Sequence, residues 1–147
     1  MTPTLAGFLV FIRSTMGIST AILPDNSQVI TDSYNVAIEI VNLALNSASS
    51  TIYTLAVYNL AGSNLINFAQ DTPPSTYFAE IRTKWNINNF ISGVVQSSGD
   101  EGTNQSLLVP EFMKNFTLAN LQQAKDPFGR QYIMFAQSFG PTVFGMN

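Results

Sequence analysis

The sequence predicts an all-α protein, a small helical bundle with a long loop and an extended C-terminal tail. Three observations carry that prediction. Apolar side chains recur at i, i+3 and i+4 over residues 5–12, 34–48, 52–68 and 78–85. Ser, Thr or Asp stands near the head of these stretches, where capping side chains belong. Pro and Gly fall between them, at Pro24, Pro73, Pro74, Gly140 and Pro141.

Thr2-Pro3 is a good helix start, a capping hydroxyl followed by a Pro in the first turn. Leu5, Phe8, Leu9 and Ile12 then follow at helical spacing, and Gly17 supplies a stop. Leu23-Pro24-Asp25-Asn26 reads as a turn. Tyr34, Ala37, Ile38, Val41, Ala44, Leu45 and Ala48 form the clearest helical stripe, with Asp32 in the first turn to suit the helix dipole. Ser47 to Ser50 breaks that helix and offers a cap for the next. The next helix carries Ile52, Leu55, Ala56 and Leu60 on one face and Tyr53, Val57 and Phe68 on another. Gly62 within it costs about 1 kcal/mol relative to Ala, so a kink or a close packing contact is expected there. Two such helices joined by a few residues predict an antiparallel hairpin.

Asp71 to Ser75 is a strong break. A helix capped by Ser75 or Thr76 should follow, with Phe78, Ile81 and Trp85 inward and Glu80, Arg82 and Lys84 outward. Asn86 to Asn89 interrupts it, and Phe90 to Val95 is compatible with strand or helix. Gln96 to Gln105 is the most polar stretch and reads as a flexible loop. Pro110 can open a turn of helix, and Thr117 caps a short one through Leu118, Leu121 and Gln122. Asp126-Pro127 is a second cap-plus-Pro start, followed by Tyr132, Ile133 and Phe135-Ala136 and stopped by Gly140-Pro141. No internal repeat or linker divides the chain, so one domain over residues 1–147 is expected, with a C-terminal arm from about residue 140.

Composition narrows the function. Six Lys/Arg and nine Asp/Glu make 10% charged residues, against roughly 25% in an ordinary soluble domain. With no His and no Cys, the commonest general base, disulfides, thiolate chemistry and zinc clusters are excluded. Net charge −3 and scattered Lys and Arg give no footprint for phosphate neutralisation. Residues 40–70 are uncharged but rich in Asn and Ser, so no membrane span is expected, and with no basic region before the apolar run from Phe8 to Ile12 no signal peptide is expected either. So few charges leave little to cover a solitary surface, which points to burial against other copies or a partner.

Catalytic and metal sites find no support. Asp100-Glu101 is the one adjacent acidic pair, but neighbours in a Gly/Ser loop point apart and stay solvated, and DEGTNQSLL lacks the ligand spacing of a Ca²⁺ loop. Gly99 to Gly102 has no following Lys-Ser/Thr and is not a phosphate loop. No Ser or Thr has an activating base. Asp126-Pro127-Phe128-Gly129-Arg130 is a well-specified helix start that leaves Arg130 to pair with a carboxylate, within the subunit or across an interface. Phe139, Phe144 and Met146, set among Gly and Pro, form a small apolar tail that folds back or docks on a neighbour. The candidate interface residues are therefore Asp100, Glu101, Arg130, Phe139, Phe144 and Met146; no catalytic, cofactor-binding or metal-binding residue is assigned.

Leu23-Pro24-Asp25, YTLAVYNLAGSNLINFAQD at 53–71, Tyr77 to Arg82, GVVQSSGDE at 93–101 and LANLQQAKDPFGR at 118–130 precede the glycine-aromatic end. Across most of its length the chain resembles the small helical head-completion, or head-to-tail adaptor, proteins of short-tailed bacteriophages. The resemblance implies a helical-bundle ring subunit, commonly one of twelve, assembled beneath the portal protein. Such a ring extends the DNA channel and offers a docking surface for tail nozzle or fibre proteins. It also implies a role for residues 142–147, and for 96–105, as arms reaching the portal or the next subunit. An acidic chain suits passing genomic DNA that slides without binding. The expectation is a structural virion protein without enzymatic activity or cofactor, assembled in the host cytoplasm. A tail-completion or minor capsid protein is the alternative within that class. A small-ligand module with a pocket lined by Trp85 and the tyrosines is a third reading, and an enzyme using Asp100 or Glu101 a fourth.

Overall fold

The computed structural model describes residues 1–88 and 124–138, together with the backbone of 97–100 and 103–106. Among these residues the fold is a helical bundle of six helices with one short hairpin. In order they are α1 (Leu5–Ser14), α2 (Gln28–Ile40), α3 (Ala44–Ala48), α4 (Ser50–Phe68), α5 (Tyr77–Lys84), β1 (Ser97–Asp100), β2 (Thr103–Ser106) and α6 (Pro127–Ser138). The all-α expectation holds.

The helix α4 is the axis of the bundle. Tyr53, Ala56, Val57, Leu60, Ala61, Leu65 and Ile66 are all buried, and so are the polar Thr54, Asn59 and Ser63. A helix buried on every side shows no apolar stripe, so the two-faced pattern expected for this segment does not describe it. Three of its polar side chains bond back within the helix itself. Thr54 Oγ1 donates to Ser50 O at 2.8 Å, Asn59 Nδ2 to Leu55 O at 2.8 Å and Asn67 Nδ2 to Ser63 O at 2.7 Å. Buried polar groups need such partners. The predicted serine cap holds, with Ser49 Oγ accepting from Ile52 N–H. Gly62 marks a close approach, since a Cβ there would stand 3.1 Å from Met16 Sδ and 3.4 Å from Phe11 Cε1.

The helix α1 begins two residues later than expected, because Thr4 is the cap and its Oγ1 accepts from Gly7 N–H at 2.9 Å. Phe8, Phe11 and Ile12 are buried, and Phe8 stacks near Tyr34 and Tyr58 with ring centroids about 6.1 Å away. Gly17 ends the helix with φ +72°, and Ile18 N–H closes back on Ile12 O at 3.1 Å, the left-handed stop that glycine favours. Arg13 then fixes the connection to α2. It donates to Ile18 O at 2.8 Å and Leu23 O at 2.7 Å and pairs with Asp25.

The stripe from Tyr34 to Ala48 is divided between two helices. It begins earlier, at Gln28, so Asp32 lies in the second turn and accepts from Gln28 Nε2. Val41 then adopts an extended conformation, and Asn42 Oδ1 accepts from Ala44 N–H at 2.9 Å to start α3. A side chain that offers the backbone this alternative competes with a continuous helix. Through α3 the chain reverses, so that residues 29–36 of α2 lie beside 64–68 of α4, as the predicted antiparallel pair requires.

Asp71 caps α5 across a gap in sequence. Its two oxygens accept from Phe78 N–H at 2.8 Å and Ala79 N–H at 2.9 Å; of the two expected caps, Ser75 Oγ accepts from Tyr77 N–H at 3.3 Å and the side chain of Thr76 makes no cap bond to the backbone. Arg82, expected to face outward, turns inward. Its Nε donates to Ile66 O at 2.8 Å, its Nη2 donates to Ala69 O, and its guanidinium lies 5.9 Å from the Phe78 ring centroid. It thereby satisfies carbonyls at the α4 end, where helical partners run out. Trp85 is partly buried against the core beside fully buried Phe78, as expected.

Gly7 allows α1 to approach α4. A Cβ at this position would overlap Tyr58 Oη, which accepts from Thr4 N–H at 3.1 Å. The ordinary helix preference for Ala is about 1 kcal/mol, and overpacking costs about 1–3 kcal/mol. Gly7→Ala is therefore expected to destabilise the fold in urea titration. Adding Tyr58→Phe should recover part of that loss, because the clashing atom is gone; a strictly additive double variant would refute the contact.

Candidate assembly surface

The placement of α6 follows from Asp126. Its Oδ1 accepts from Gly129 N–H at 2.7 Å, the predicted cap of Pro127–Ser138. Its Oδ2 accepts from Ser63 Oγ at 2.7 Å and lies 3.5 Å from Asn67 Nδ2, so the cap also ties α6 to the middle of α4. The residue is fully buried. Removal from water pushes its carboxyl above the usual carboxylate range, and the hydrogen bonds from Gly129, Ser63, Phe128 and Asn67 oppose that shift only in part. The cap is legible in the sequence; its burial against α4 is not, because Ser63 lies 63 residues away. Tyr132, Ile133 and Ala136 face inward, and Phe128 meets Phe11 edge-on with centroids 6.0 Å apart.

Arg130 stands exposed on the outer side of α6. It does not bond a carboxylate within the described residues. Its Nη1 donates instead to Ala124 O at 3.1 Å and Lys125 O at 3.3 Å, because the turn just before the helix presents those carbonyls. Met134, one turn on, is 49% exposed.

A larger apolar surface lies on the α2–α4 side. Phe68 is 69% exposed, Leu43 67%, Ile40 54% and Val36 47%. Phe68, assigned with Tyr53 and Val57 to the second face of α4, is exposed while those two are buried. Between α2 and α4 is a hollow of about 260 Å³ lined by Val29, Asp32, Ser33, Val36, Asn64 and Phe68. Asn64 Nδ2 is buried at its edge without a hydrogen-bond partner among the described residues. The sparse charge pointed to a surface covered by copies or a partner, but none of these side chains was among the candidate interface residues. Only solvent exposure distinguishes Phe68 from the core aromatics.

Of the other candidate interface residues, Asp100 ends β1 and pairs with Thr103 of antiparallel β2. The expected loop is therefore in part a hairpin, with Ser97 opposite Ser106 and Asp100 opposite Thr103. Glu101, Phe139, Phe144 and Met146 lie outside the described residues, as do the helix expected after Thr117 and the stretch Phe90 to Val95. Among the described residues no group of three or more Asp and Glu is placed to hold a metal ion, and no helix is long and apolar enough to cross a membrane. The chain matches no protein-family model, no curated protein and no solved structure.

The buried carboxylate gives a signed pH dependence. A carboxyl whose folded value is raised binds its proton more tightly in the folded state. Its contribution to stability is therefore fullest below the ordinary Asp range and is lost as pH rises through the raised value. Asp126→Asn keeps an acceptor for Gly129 and removes the titration. The stability of wild type relative to this variant should fall with rising pH across that window, in denaturant titrations at successive pH values. A difference that is flat with pH would show that Asp126 titrates normally.

Proposed function

We propose that this protein is a structural, ring-forming subunit, a head-to-tail adaptor of a short-tailed bacteriophage that joins the portal to the tail and lines the DNA channel. The observation that carries the reading is the set of exposed apolar side chains at Val36, Ile40, Leu43 and Phe68, of which Val36 and Phe68 line one hollow. Exposed apolar patches mark interaction sites, and these side chains lie on a chain with 10% charged residues. The net charge of −3 supports a channel that DNA passes without adhering. The function is assembly, in the virion neck, with no chemical step and no cofactor.

The subunit is expected to have a solution mass that is a multiple of 16.1 kDa by light scattering. Assembly driven by apolar contact should survive raised salt, which screens charge pairs. Phe68→Ser and Ile40→Ser should each weaken it more than tenfold while circular dichroism stays unchanged, since burying one such side chain contributes about 1.5–3 kcal/mol. For the virion role, a portal or terminase gene nearby and peptides of this chain in purified particles are the expected findings. A stable monomer at high concentration, missing from the particle, would overturn the proposal.

A further inference from the structure

We infer that copies of this chain join head to tail, the outer face of α2 on one copy meeting the outer face of α6 on the next. The inference rests on the self-assembly reading above and adds to it which two faces meet.

Charge selects the occupant. The charged residues of α2 are Asp32 and Glu39, and both are exposed. The charged residue of α6 is Arg130, also exposed. A two-fold contact of α2 on α2 brings carboxylates together, and α6 on α6 brings guanidinium groups together; each is repulsive. The pairing of α2 with α6 is the complementary one. One subunit cannot make it alone, because α2 and α6 each pack along α4 rather than along each other. Their outer faces look in different directions.

The spacing fits as well. Asp32 and Val36 lie four residues apart on α2, and Arg130 and Met134 lie four apart on α6, so each pair adjoins on its helix surface. Met134 enters the hollow beside Val36 and Phe68, an unbranched side chain suited to an irregular apolar recess. Arg130 then reaches Asp32 at the rim, exchanging its backbone carbonyls for a carboxylate. Such a contact is not self-complementary. Repetition closes it into a ring or extends it into a filament.

The absence of cysteine from the chain makes the test clean. With a short bis-maleimide, Val36→Cys mixed with Met134→Cys should give crosslinked dimers, the double variant should give a ladder of higher multimers, and neither single variant alone should crosslink. Crosslinking of Val36→Cys alone would indicate a two-fold α2 contact and overturn the head-to-tail arrangement. An uncrosslinked protein that still scatters light as a multimer would overturn these faces and leave self-assembly standing; a monomer under all conditions would remove both. As an independent arm, Arg130→Glu should weaken association about tenfold, and adding Asp32→Lys should restore it, with helicity by circular dichroism unchanged. Failure of that exchange to restore association would exclude the pairing.

Discussion

Surrounding α4 on every side is the constraint from which the rest of the structure follows. A fully enclosed helix has no solvent-facing side on which to place polar residues, yet this one carries Thr54, Asn59, Ser63 and Asn67. Thr54, Asn59 and Asn67 return a hydrogen bond to the preceding turn of their own helix. Ser63 reaches outward instead, to the carboxylate of Asp126. That contact fixes α6 along the helix and in rotation, because the other oxygen of the same carboxylate begins α6 at Gly129. The cost of keeping a carboxylate out of water is offset by donors from both helices, so removing either partner leaves a buried polar group unpaired.

Four of the ionic side chains are used in the same way. Arg13 holds the connection between α1 and α2, Asp71 caps α5 from a distance, Arg82 closes the end of α4, and Asp126 starts α6. Each meets backbone groups that a helix end or a loop leaves without partners. These charges organise the interior chain path and do little to hydrate the surface. A composition already poor in charge therefore leaves a surface poorer still, and the outer sides of α2 and the end of α4 are where this is felt.

The sequence made the helices legible through period and caps: Ser49, Asp126 and Gly17 act as their local pattern indicates. It failed where the deciding contact was distant. Ser75 and Thr76 look like the cap of α5, and Ser75 does meet Tyr77 N–H, but Asp71, seven residues before Phe78, takes the next two amide donors. Arg82 sits at an outward position by spacing, yet the open carbonyls of α4 draw it in. Val41 belongs to an unbroken stripe, and only the side-chain bond of Asn42 reveals the break. For the surface, the identity of α4 as the enclosed axis decided which apolar residues were left outside. Phe68, on the last turn of the axis, is exposed at the hollow between α2 and α4, while its neighbour Ala69 is fully buried.

Phe68, Leu43 and Ile40 raise a question that the isolated fold does not answer. Since each is more exposed than buried, replacing it with a polar residue would cost the subunit little packing. A hydrophobic side chain at such a place lowers solubility without supporting the core, unless contact with another surface removes it from water. The acidic residues beside these side chains give that contact a direction. In the proposed assembly they would repel a second copy of the same face and attract a basic one, so the same few charges that cannot cover the surface would select which neighbour covers it. Apolar area would then supply the strength of association, and the sparse charge its orientation.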